Sequence, residues 1–187
     1  AFTVRACRLV CQVSARTSYS GNFSAGGGGP DDALLERVWW TGAYTARLNV
    51  LPDALSAILV DRGDRFSWTG DAHVTQATLM AAFGGGATYE LVRRNLYATR
   101  TNSNGIQSYA LYWVLSVVDY WRETADADTL CDLLRADSAA DDDGQWTPKR
   151  LGGDIAAKLA LSAGMLPDPG LGFYGWDDRI GGGFETV

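Results

Sequence analysis

Residues 32–50 read DALLERVWWTGAYTARLNV, and this stretch decides the fold class. Leu34, Leu35, Val38, Trp39, Gly42, Ala43, Thr45, Ala46 and Leu48 fall at the three- and four-residue spacing of one helix face. Pro30, Asp31 and Asp32 suit a first turn, where a missing N–H costs nothing and negative charge meets the positive end of the helix dipole. Pro52 ends the pattern. Working outward, helices are expected from Asp71 (as N-cap) to Phe83, over 88–100, over 107–123, over about 126–136 and over 150–163. Gly84-Gly85-Gly86 reads as the stop of the second of these. Residues 53–70 read as a loop, and Pro167 to Val187 carries no regular period. On the other side, residues 2–13 alternate and read as a strand, with a second near 17–23. The expectation is a mainly α chain with a strand in front of it.

Composition narrows the function. The chain has 187 residues, 47% of them hydrophobic and 20% charged, an ordinary globular balance. Sixteen Lys and Arg against 22 Asp and Glu give a net charge of −6, so phosphate backbones are not attracted and nucleic acid is a poor partner. No apolar run approaches the roughly 20 residues of a membrane helix. The chain opens at Ala1 on strand-like residues, without a charged-then-apolar leader, and is expected to belong to a longer protein. Cys7 and Cys11 on one strand face would lie roughly 13 Å apart, too far to bond, and read as buried apolar thiols. Cys131 stands alone, and no cysteine or histidine pair points to a metal. Gly26 to Gly29 lack the Lys and Ser or Thr of a phosphate loop and read as a linker.

The chemistry concentrates in Asp61-Arg62-Gly63-Asp64-Arg65-Phe66-Ser67-Trp68-Thr69-Gly70-Asp71-Ala72-His73, a loop feeding a helix. Carboxylates with different surroundings divide acid and base work. Asp71 at a helix N-terminus is expected ionised. Asp64, beside Phe66 and Trp68, is expected desolvated and protonated. That division suits glycoside hydrolysis. The same residues admit a plainer reading, with Asp71 as a cap and Asp64 paired to Arg62 or Arg65 on the surface. His73 is expected to be packed or solvated rather than catalytic. A second cluster, Gly172-Phe173-Tyr174-Gly175-Trp176-Asp177-Asp178-Arg179, places aromatics beside carboxylates on glycine turns. It suits a sugar-binding surface, and equally the cover over a helical core.

The block Val60 to Ala72 resembles the signature of the α-L-rhamnosidases, glycoside hydrolase family 78, in its fungal-type branch of six-hairpin glycosidases. Leu35-Glu36-Arg37-Val38-Trp39, Thr41-Gly42-Ala43-Tyr44-Thr45, Ser108-Tyr109-Ala110-Leu111-Tyr112-Trp113 and Gly172 to Asp177 are similar to that branch, in the same order. The resemblance implies an (α/α)6 barrel preceded by β-sandwich domains. Residues 1–25 would end the sandwich or linker, and 30–187 would form the N-terminal half of the barrel. It implies inverting hydrolysis of terminal α-L-rhamnosides without metal or organic cofactor, and is compatible with secretion while leaving the location open. By the motif's register Asp64 takes the general-acid position and Asp71 is its partner aspartate. Arg65, Trp68, Trp176 and Asp177 would line the substrate pocket.

Three departures accompany the resemblance. The family's acid is a glutamate, and Asp64 is one methylene shorter. Leu59 stands where the family has an aspartate. The family's general base belongs to a later helix pair, and Glu185 is no obvious substitute. Roughly six helices make about half a barrel, and an open half-barrel exposes apolar surface that invites self-association. The alternative expectation is a remnant that binds carbohydrate without cleaving it.

Overall fold

The computed structural model describes Ala6, residues 18–51, Leu55, 67–101, Asn104, 107–135, 176–177 and 183–184. The chain is mainly helical. Helices α1 (Asp32–Leu48), α2 (Thr69–Phe83), α3 (Gly85–Thr99), α4 (Gln107–Thr124) and α5 (Ala127–Leu134) follow one another. Two short strands, β1 (Trp176–Asp177) and β2 (Gly183–Phe184), pair antiparallel, with Trp176 opposite Phe184 and Asp177 opposite Gly183. The tail expected to be irregular therefore contains a strand pair. The strand over 2–13, the helix over 150–163, and Cys7 and Cys11 lie outside the described residues.

Helix α2 is the centre. It packs against α1, α3 and α4, and it buries residues on several sides, as an apolar interior helix does. Leu79, Ala82 and Phe83 join Ala43, Ala46, Val50, Leu55 and Leu91 in one core cluster, with Trp39 against it. Met80 joins Val92, Leu96, Trp113, Val117, Tyr120 and Leu133 in a second. The fully buried Trp113 gives its indole N–H to the Leu96 carbonyl at 2.9 Å. That carbonyl lies in the last turn of α3.

Helix ends explain three corrections. Residues 18–23 form no strand, because their backbone serves another element. The N–H groups of Ser20 and Gly21 both reach the Ala82 carbonyl, at 3.2 and 2.9 Å, and the Ser20 hydroxyl donates to the Phe83 carbonyl. These are orphan carbonyls at the end of α2. The expected glycine stop is a single residue. Gly84 reverses the chain at φ +51, and Gly85 at φ +73 already begins α3, three residues ahead of expectation. Asp71 is not the N-cap of α2. Trp68 is, and Asp71 lies in the first turn. By contrast, α5 has a side-chain cap. Asp126 accepts from the Thr129 N–H at 3.0 Å and from its hydroxyl at 2.6 Å, and these bonds lower its carboxyl pKa, the hydroxyl's contribution being the larger.

Candidate functional site

The first turn of α2 is built around a glycine. A Cβ on Gly70 would lie 2.3 Å from the Tyr109 ring of α4, so only a residue without a side chain admits that ring. The close approach carries the Tyr109 hydroxyl to Asp71, where it donates to Oδ2 at 3.2 Å. Burial, helped by the Asp71 charge, pushes the Tyr109 hydroxyl well above its ordinary pKa of 10. It therefore keeps its proton and acts as a donor to Asp71.

Asn104 fixes the residue before this turn. Its Oδ1 accepts from the Thr69 N–H at 2.8 Å, and its Nδ2 donates to the Ser67 carbonyl at 3.2 Å. One side chain thus brackets Trp68 and supplies the cap that Trp68 itself does not provide.

Asp71 opens into a cleft of about 630 Å³ between three helices. Thr41, Gly42, Thr45, Ala46 and Asn49 line it from α1, Gly70, Asp71, Val74, Thr75 and Thr78 from α2, and Tyr109 and Tyr112 from α4. Among these described residues Asp71 alone carries a charge. The Thr45 hydroxyl donates to the Thr41 carbonyl at 2.8 Å and that of Thr78 to the Val74 carbonyl at 2.9 Å, so both oxygens offer lone pairs rather than protons. A wall of aromatic rings, methyl groups and acceptor oxygens suits a neutral, hydroxyl-bearing ligand.

His73 packs behind this wall, as expected. Its ring stacks on Tyr112 at 5.5 Å, and its Nδ1 lies 3.0 Å from the Ser116 Oγ. The Ser116 hydroxyl donates to the Tyr112 carbonyl at 2.9 Å, so Nδ1 carries the proton in the bond to Ser116. Asp119 faces the same nitrogen at 3.9 Å. A nucleophilic relay needs the serine and the carboxylate on opposite ring nitrogens, and here they share one.

The structure brings together Asp71, Gly70 and, one residue before the helix, Trp68, which is half-buried and does not line the cleft. Asp64 and Arg65 lie outside the described residues. Trp176 and Asp177 are placed as the backbone of β1. Sequence reasoning gave no role to Tyr109, Tyr112 or Asn104. The available signal was Gly70 itself, a glycine at the helix entrance, where the missing side chain leaves room for a close neighbour.

Among the described residues there is no group of three His, Cys, Asp or Glu side chains arranged to hold a metal ion, and no helix long and apolar enough to cross a membrane. Comparison with protein-family models, with curated proteins and with solved structures returns no match for this chain.

Proposed function

We propose that the chain carries the acid side of a glycoside hydrolase site that acts on terminal α-L-rhamnosides with inversion, within an (α/α)6 barrel. The single observation behind this reading is the Asp71–Tyr109 pair at 3.2 Å, opening into a cleft whose other described lining residues are uncharged, next to the Trp68-Thr69-Gly70-Asp71 block. Asp71 binds hydroxyls of the sugar. One of its oxygens is held by the Tyr109 donor, which turns the carboxylate in one direction before a ligand arrives. The aliphatic and aromatic wall receives the apolar face of the ring. Asp64 supplies the proton to the leaving oxygen. Inversion also takes a base about 6.5–9.5 Å from that acid to activate water.

A second reading is favoured by one feature of the cleft. Asp71 is the one carboxylate among its described lining residues, and inverting hydrolysis takes two. In that reading the chain holds the sugar without cleaving it. Incubation of the chain with an aryl α-L-rhamnoside, beside an Asp64→Asn variant, separates the two. Turnover abolished in the variant, with β-L-rhamnose as the first product, supports the hydrolase. L-Rhamnose binding without turnover supports the second reading. Absence of both binding and turnover in a folded sample contradicts both.

A further inference from the structure

Beside the Asp71 cleft, α1 presents a second hollow of about 470 Å³, lined by Ala33, Glu36, Arg37, Trp40, Thr41 and Tyr44. Thr41 lines both hollows, so the two are neighbours on the α1 surface. We infer that this hollow is a second carbohydrate subsite, which takes the sugar unit next to the one held at Asp71. The inference rests on the reading of the Asp71 cleft as a sugar site.

Three observations support it. Trp40 and Tyr44 stand one helical turn apart and remain 40% and 49% exposed, a large aromatic area for two neighbouring positions. The indole is also held before any ligand arrives. It packs edge-on against Trp39 at 4.6 Å and Tyr19 at 5.3 Å, and Tyr19 rests on the buried Phe83 at 4.5 Å. A fixed ring loses little freedom on binding.

The polar groups of the hollow then choose among ligands. Glu36 is positioned by the Ser24 hydroxyl at 3.1 Å and the Ala25 N–H at 3.2 Å, both on Oε1. Arg37 stands next to it with the opposite charge. The pair offers acceptors and donors and sums to zero, which suits an uncharged polyol more than an ion. A pyranose has what these groups address, a flat C–H face for the rings and hydroxyls that both give and accept hydrogen bonds. A bare hydrocarbon would leave Glu36 and Arg37 without a role.

The test uses the full chain and two probes in calorimetric titrations, L-rhamnose and a disaccharide of α-L-rhamnose linked to glucose. The disaccharide is expected to bind about tenfold more tightly than the monosaccharide. Tyr44→Ala is expected to remove that gain and leave L-rhamnose affinity unchanged, since Tyr44 lies outside the Asp71 cleft. Tyr44→Phe, which keeps the ring, is expected to retain most of the gain. Equal affinities for the two probes, or a gain that survives Tyr44→Ala, would overturn the subsite while leaving the Asp71 reading in place. Binding of neither probe would overturn both.

Discussion

At the scale of single residues, the contact between Gly70 and Tyr109 decides the geometry of the site. A methyl group at position 70 would fall 2.3 Å from the Tyr109 ring, inside any van der Waals contact. Gly70→Ala is therefore expected to destabilise the chain by about 2 kcal/mol through overpacking, despite the helix preference of alanine. In a Tyr109→Ala background the same substitution is expected to cost much less, because the clashing ring is gone. Thermal or urea unfolding of the two singles and the double gives the coupling directly. Equal costs in both backgrounds would show that Tyr109 is not what requires the glycine. This contact also marks how far the sequence could be read. The Trp-Thr-Gly-Asp block could be read as a candidate site because its residue types are chemical and adjacent. Tyr109 was not, because it lies 38 residues from Asp71 and only the packing of α4 on α2 brings it there.

At the scale of elements, the helices were legible from apolar periodicity. Helix α1 keeps its apolar face from Asp32 to Leu48, and α5 starts behind the Asp126 cap. The strand read near 17–23 failed because alternating residue types do not say where backbone N–H groups go. Those of Ser20 and Gly21 close the end of α2 instead. Exposed charge on α3 supplies a second expectation. Glu90 accepts from Arg93 at 2.8 Å and from Arg94 at 2.7 Å, and those bonds, Arg93 first, bring its carboxyl from an ordinary 4.5 to about 2. A depressed carboxylate stabilises the fold above its unfolded value and loses that contribution as pH falls. Because Glu90 is 40% exposed, solvent screening keeps the gain to about 1 kcal/mol or less. Glu90→Gln is expected to lower stability by that amount near pH 7, and the difference is expected to fade between about pH 4.5 and 2. Unfolding curves of both chains across that range check it, and a difference that persists to pH 2 would contradict the clamp.

At the scale of the whole molecule, the described helices leave apolar side chains open on the α1, α2 and α4 surfaces. Val38 is 62% exposed and Val74 66%, with Leu34, Leu111 and Leu115 also in the open. Apolar periodicity indicated a mainly α chain, and the described helices bear that out. How far such surfaces close on further helices of an (α/α)6 ring, or on a second copy, belongs to the proposed reading. Residue patterns report which face is apolar, not what covers it. The central claim is narrower, that Asp71 holds a neutral sugar in the cleft between α1, α2 and α4. Calorimetric titration of the chain with L-rhamnose, beside Asp71→Asn, tests it most directly. The expected result is saturable one-to-one binding that weakens at least about tenfold in the variant, the loss of one charge-assisted hydrogen bond, with an unchanged melting profile. No heat of binding, or equal affinity in Asp71→Asn, would contradict the claim.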